Sequence, residues 1–61
     1  MTQIVWVYKH CQLTVIERPA GGYHVEIVQI AGGKPVLTKQ FREMSDAIDS
    51  AHRIVDNGIM D

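Results

Sequence analysis

The chain contains one cysteine, two prolines, four aromatic residues and no long apolar run. Because Cys11 has no partner for an internal disulfide, we expect a protein that folds in a reducing, cytoplasmic setting. The longest uninterrupted apolar run, residues 4–8, is far shorter than the ~20 residues of a membrane-spanning helix. Residues 1–9 also lack the basic start and apolar stretch of a signal peptide. These absences predict a cytoplasmic protein that makes no contact with a membrane.

The composition is that of a small globular domain. With 61 residues, 46% of them hydrophobic and 21% charged, the chain lies outside the disordered regime but is too short for two independent cores. We therefore predict a single domain over residues 1–61. A core of this size provides little stability, so self-association would help the fold.

Charge is distributed unevenly, although the net charge is only −1. Residues 1–42 carry five basic and two acidic side chains, whereas residues 43–61 carry one basic and five acidic side chains. We interpret the acidic part as the solvated face of a helix, and the mildly basic part as a hint about partners.

Four segments rich in β-branched and aromatic residues predict strands at residues 4–8, 13–18, 23–30 and 36–41. Turn signals separate them, including the glycine pairs at residues 21–22 and 32–33. Short connections of this kind join neighbouring antiparallel strands. The sequence therefore predicts a four-stranded antiparallel β-meander.

A helix is predicted over about residues 45–57, where apolar residues recur at intervals of three and four. Ser45 is a suitable N-cap, and Gly58 stands where a left-handed residue commonly follows a helix. Ile59 is then expected to contact Ile54. The predicted fold class is α+β, in the order ββββα, with the C-terminal helix packed on one face of the sheet.

The turns also predict a pairing register. We centre the middle hairpin on residues 20–21 and the last on residues 32–33, since glycine favours tight hairpin turns. The first connection has no glycine, and we centre it on residues 10–11. The resulting cross-strand pairs include Trp6 with Val15, Tyr8 with Leu13, Glu17 with His24, Val15 with Glu26, Leu13 with Val28, Glu26 with Lys39 and His24 with Phe41. On this register, opposite charges meet across the sheet.

The same register divides the side chains between two faces. The face expected beneath the helix carries Ile4, Trp6, Tyr8, Leu13, Val15, Val28, Ile30, Leu37 and Phe41. The opposite face is unusually apolar for a surface left in water, and we predict it to be a partner or dimer interface. Its apolar residues are Val5, Val7, Ile16, Val25, Ile27 and Val36.

Two groups of residues were considered for catalysis. Cys11 adjoins His10, but neighbouring residues in a strand or turn point apart, which leaves the histidine poorly placed to activate the thiol. Glu17, His24 and Glu26 are better explained as cross-strand ion pairs. A chain this short also has little material to enclose a ligand pocket. We therefore expect no catalytic residues and no enzyme activity.

The sequence predicts neither a metal site nor a cofactor. His10, Cys11, His24 and His52 lack the close spacing by which zinc sites are recognised. Both glycine pairs connect strand to strand, whereas phosphate-binding loops connect a strand to a helix.

A sheet-based DNA- or RNA-binding module is the alternative function. Trp6, Tyr8 and Tyr23, together with five basic residues in the strand part, are the residue types that stack bases and contact phosphates. The net charge of −1 and the scatter of the basic residues argue against this reading.

Gly22-Tyr23 opening a strand, and Phe41 six residues before Ala47, resemble the arrangement of many small bacterial and phage proteins over residues 23–55. This resemblance is architectural and carries over no functional residue. We expect a non-enzymatic protein-binding module, or an accessory or inhibitor protein of bacterial or phage type. It is expected to act on a protein partner or as a homodimer.

Overall fold

The computed structural model describes residues 3–58. Its elements are the strands β1 (Ile4–Tyr8), β2 (Cys11–Glu17), β3 (Tyr23–Gln29) and β4 (Val36–Leu37), followed by the helix α1 (Met44–Asp56). The strands form one antiparallel sheet in the order β1-β2-β3-β4. The predicted α+β fold, a β-meander followed by one C-terminal helix, is confirmed.

The core lies between α1 and the two central strands. Leu13 of β2 and Val25 and Ile27 of β3 are fully buried, as are Ala47 and Ala51 of α1. The two alanines, four residues apart, form a smooth stripe on the helix that lets its backbone approach the sheet closely. Larger, partly buried side chains pack around this centre. They include those of Trp6, Tyr8, Tyr23, Phe41, Met44, Ile48, Ile54 and Val55.

The predicted register of β2 with β3 was wrong by one residue. Leu13 lies opposite Ile27, where the sequence had suggested Val28. The reason is the length of the connecting loop. The amide of Arg18 donates to Gly22 O at 2.9 Å, and the amide of Gly21 donates to Arg18 O at 2.9 Å. These bonds close a three-residue loop with Gly21 at φ 103°, whereas we had assumed a two-residue loop.

This shift of one residue turns the side chains of β3 over. Val25 and Ile27, assigned to the interface, instead face α1 and have 0% exposure. Val36, the third misplaced residue, is paired with Ile27 and packs against the core. Val28 and Leu37, predicted to lie beneath the helix, lie on the other side of the sheet.

In the other two hairpins, the paired residues of the strands differ from the predicted pairs by two positions. A shift of two positions leaves the side chains of each strand on the predicted face relative to the neighbouring strand. In the first, the turn residues are Lys9 and His10, so Trp6 pairs with Leu13. In the last, the amide of Gly32 donates to Gln29 O at 3.0 Å, and a longer loop precedes β4. The predicted two-residue turn at the second glycine pair was therefore wrong.

A β-bulge follows β4 and returns Phe41 to the core side. Thr38 N donates to Val25 O, and Phe41 and Tyr23 exchange two backbone bonds of 2.7 Å. Two residues of the segment after β4 therefore lie opposite one residue of β3, His24, and this arrangement is a bulge. The amide of Val25 donates instead to the Thr38 hydroxyl at 2.9 Å, and this hydroxyl donates to Lys39 O. A buried side chain therefore replaces the backbone acceptor that the bulge removes.

The helix lies one residue earlier than predicted at both ends. Its N-cap is Glu43, without a side-chain capping bond, so the prediction of Ser45 as N-cap was wrong. Phe41 is still bonded to β3, which leaves only two residues before the helix begins. Gly58 has a φ of 81° and donates to Val55 O, as expected of a residue that terminates a helix. The predicted contact of Ile59 lies outside the described residues.

Within residues 3–58, no helix has both the length and the apolar character needed to cross a membrane.

The corrected register can be tested by the same substitution at two positions of β3. Val25→Ala should lower the free energy of unfolding by about 2 kcal/mol, because it removes two buried methyl groups and leaves a cavity. Val28→Ala should cost well under about 1 kcal/mol, because Val28 is only half-buried on the other face. Urea unfolding of both variants measures the difference, and the opposite order would restore the originally predicted register.

The role of Thr38 can be tested with a nearly isosteric change. Thr38→Val should cost about 1–3 kcal/mol, because the buried amide of Val25 then has no acceptor. Thr38→Ser keeps the hydroxyl and serves as the control, so it should cost less. Hydrogen exchange of the Val25 amide provides a local readout. Unchanged protection of this amide in Thr38→Val would contradict the assignment.

Candidate functional site

The side of the sheet turned away from α1 is the candidate binding surface, and we call it the open face. Three of its side chains are largely exposed: Val5 at 52%, Val7 at 61% and Leu37 at 56%. The pairing registers and the alternation of side chains along the strands define the whole set. The open face consists of Val5, Val7, Gln12, Thr14, Ile16, His24, Glu26, Val28 and Leu37.

The open face keeps only three of the six residues predicted for the interface, namely Val5, Val7 and Ile16. Val28 and Leu37 replace the three that the register moves to the core. Polar residues separate these apolar groups, since Thr14 and Glu26 lie between Val5 and Leu37 along one row of the sheet. The surface is therefore mixed in character, and less apolar than the sequence suggested.

The predicted cluster of Glu17, His24 and Glu26 does not form. Glu17 is paired with Tyr23, while His24 is paired with Ile16 on the opposite face. The expected ion pairs are consequently absent from residues 3–58. The alternation of side chains along β3 indicates the correct faces. His24 and Glu26 have even numbers and share one face, whereas the core residues of β3 have odd numbers and share the other. The register predicted from the turns contradicts this alternation.

Sequence reasoning missed a cluster in which α1 meets β1. The His52 ring stacks on Tyr8, with centroids 4.1 Å apart and planes at 20°. The Trp6 ring meets the same histidine edge to face at 6.0 Å. Within the described chain, His52 Nε2 is buried without a hydrogen-bond partner. The imidazole thus serves as a flat packing surface between the edge strand and the helix.

Next to this stack, Asp56 joins the end of α1 to the first hairpin. Its Oδ1 accepts hydrogen bonds from Lys9 Nζ at 2.6 Å and from the Tyr8 hydroxyl at 2.9 Å. These bonds hold the pKa of Asp56 below its ordinary value of 3.8. The bonds to the carboxylate also raise the pKa of Lys9 above 10.5 and that of Tyr8 above 10.0. The shifts of Asp56 and Lys9 favour the ion pair, and the shift of Tyr8 keeps the proton on its hydroxyl donor.

Lys9 offsets one unfavourable feature and carries another. Asp56 is the last residue of α1, where the helix dipole disfavours negative charge, and the lysine ammonium offsets that charge. Lys9 itself has a φ of 57°, a conformation that costs energy for a residue other than glycine. The two-residue turn between Tyr8 and Cys11 requires this positive φ at its first residue.

The adjacent residues Cys11 and His10 lie in different environments. Cys11 is 4% exposed and belongs to the core, while His10 is exposed in the turn. A depression of about 190 Å³ beside them is lined by Lys9, His10, Cys11, Gln29 and Val55. In the described part of the chain, no three histidine, cysteine, aspartate or glutamate side chains come close enough together to hold a metal ion.

A second depression, of about 390 Å³, lies where the β2–β3 loop meets the segment before α1. It is lined by Ala20, Gly21, Gly22, Gln40, Phe41 and Arg42. Gln40 Nε2 donates to Gly21 O at 2.7 Å, which ties the two segments together. The lining contains one cationic side chain, that of Arg42, and no nucleophile paired with a base.

The aromatic residues proposed to stack nucleic-acid bases all lie on the helix side of the sheet. Trp6 and Tyr8 contact His52, and Tyr23 is paired with Phe41. The exposed basic residues are divided between the two ends of the sheet, with Lys9 and Lys34 in loops at one end and Arg18 in the loop at the other. The open face therefore has no aromatic platform and no basic stripe.

The chain matches no protein-family model, no curated protein and no solved structure. Within residues 3–58, α1 leaves uncovered the open face and the adjoining edge of β1.

The ion pair of Lys9 and Asp56 predicts a dependence of stability on pH. Because the pKa of Asp56 is lowered on folding, its stabilisation is complete above 3.8 and is lost as the pH falls through the lower folded value. The raised pKa of Lys9 adds a second loss, at alkaline pH above 10.5. Wild type should therefore exceed Asp56→Asn in unfolding free energy near neutral pH, and this difference should shrink in strong acid.

Urea unfolding across the pH range measures this difference. Asp49→Asn is the matched control, because it removes the same charge from an exposed position of α1. The difference in unfolding free energy between Asp49→Asn and wild type should not include the contribution of the contact with Lys9. A difference for Asp56→Asn that persists unchanged below the folded pKa of Asp56 would contradict the assignment.

Proposed function

We propose that this chain is a non-enzymatic protein-binding module, a small accessory or inhibitor protein of bacterial or phage type, that binds a protein partner through its open face. The observation that supports the proposal is the uncovered side of the sheet. A single helix of 13 residues, about 20 Å long, covers one side of the sheet and leaves the other uncovered. On that side Val5, Val7 and Leu37 are more than half exposed.

The chemistry of the open face favours a protein over a small molecule or a nucleic acid. Its residues line neither of the two depressions, and its apolar groups alternate with Gln12, Thr14 and Glu26, a mixture that resembles the composition of non-obligate protein interfaces. Small ligands prefer concave sites. The carboxylate of Glu26 near the middle of the surface would repel phosphate groups.

The proposal is tested by Ile16→Lys. Ile16 lies on the central strand β2 and is half-buried on the open face, so a lysine there places a charge within the proposed contact. We expect at least about a tenfold loss of affinity for the partner, which corresponds to about 1.4 kcal/mol. The partner is first captured from lysate of the source cell, and its binding to purified wild type and variant is then titrated.

Ser45→Lys is the matched control, since it adds the same charge to an exposed position of α1. It should bind the partner as tightly as wild type does, and circular dichroism should show both variants folded. Equal weakening by the two substitutions would contradict an open-face site. An oligonucleotide shift at low salt that disappears steeply as salt rises would instead favour the nucleic-acid function.

A further inference from the structure

Along its outer edge, the backbone of β1 has hydrogen-bonding groups that no residue of 3–58 pairs. His10 O accepts a bond from Ile30 N at 3.0 Å, which shows that the even-numbered residues of β2 bond towards β3. The odd-numbered residues of β2 therefore bond towards β1, where they pair with Ile4, Trp6 and Tyr8. The N–H and C=O groups of Val5 and Val7 consequently point away from the sheet.

The two edges of the sheet are protected very differently. The edge strand β4 is two residues long, follows Pro35, is flanked by Lys34 and Lys39, and leads into the bulge. Proline, lysine, short length and bulges are the features by which proteins prevent pairing at an edge. The edge strand β1 has five residues, IVWVY, and none of these features. One edge is blocked, and the other is open to another strand.

We propose that β1 pairs antiparallel with β1 of a second copy, with Val5 of one chain opposite Val7 of the other, and so joins two four-stranded sheets into one of eight strands. The two-fold axis then passes beside Trp6. The outward N–H and C=O groups of both valines find partners, which gives four backbone hydrogen bonds. This proposal goes beyond the proposed function, because it concerns the outer edge of β1 and leaves the open face to a separate partner.

The side chains favour a second copy over an unrelated strand. On the open face each exposed Val5 gains a Val7 neighbour, and β-branched pairs of this kind stabilise antiparallel sheets. On the helix side, Ile4 at 41% exposure comes opposite Tyr8 of the second copy. No charged residue lies within the paired strands, so no like charges meet. Trp6 comes opposite Trp6 of the second copy at the two-fold axis, so uncharged side chains meet at all five positions.

The predicted association is weak. Two paired strands of five residues bury less surface than the roughly 800 Å² per partner of a standard interface. We therefore expect a dimer that dissociates on dilution. The open face of the joined sheet stays accessible, so dimer formation leaves the surface assigned to other partners free.

The decisive variant is Val5→Pro, measured by sedimentation velocity over a wide range of concentration. Proline removes an outward N–H from each chain, which eliminates two of the four new bonds and leaves the β1–β2 ladder intact. We expect wild type to dimerise and the variant to show at least about a tenfold higher dissociation constant. Val5→Thr, which keeps the N–H and the branched side chain, should dimerise nearly as wild type does. Circular dichroism checks that both are folded.

Nuclear Overhauser contacts between an isotope-labelled and an unlabelled copy establish the geometry. Contacts from Val5 to Val7 of the other copy would support edge pairing. Contacts involving Ile16 and Val28 across the dimer would show stacked open faces and overturn it, as would equal dimerisation of Val5→Pro and wild type. A wild type that remains monomeric at millimolar concentration would also overturn the proposal. Ile16→Lys should leave the edge dimer intact, so loss of partner binding in that variant tests the proposed function separately.

Discussion

The pairing of β2 with β3 is the constraint on which the rest of the structure depends. Side chains alternate along a strand, so the register of this central pair decides which of them enter the core beneath α1. The three-residue loop closed by Arg18 and Gly22 sets that register and brings Leu13 opposite Ile27. Residues 3–58 form one helix, so no other element of this part of the chain covers the side chains on the opposite face. The length of this one loop therefore determines which residues form the core and which form the open face.

The fold class could be predicted from the sequence because each element has its own local signal. The apolar spacing of α1, the left-handed glycine after it and the β-branched segments all follow from short-range preferences. The register could not be predicted from the turns in the same way. Residues 19–22, Pro-Ala-Gly-Gly, contain two glycines and fit either a two-residue or a three-residue loop. One residue of loop length then moved Val25 and Ile27 from the surface to the core.

The candidate site was predicted only in part, for the same reason. Val5, Val7 and Ile16 were correctly placed on the face without a helix, because the error in the first hairpin was two residues and preserved their orientation. The stack of His52 on Tyr8 had no signal in the sequence. It joins residues 44 positions apart, through tertiary packing that short-range patterns do not specify. The bulge after β4 was likewise hidden, since its stabilising group is the hydroxyl of Thr38.

These contacts also explain how an edge strand of five residues keeps a defined shape. β1 has a neighbouring strand on one side only, and such strands are ordinarily prone to fray. Here His52 contacts both of its aromatic side chains, while Asp56 bonds Tyr8 and the adjoining Lys9. The helix thus fixes the end of β1 next to the first turn. An edge that is already ordered loses less conformational entropy on pairing with another strand, which favours association through an interface of small area.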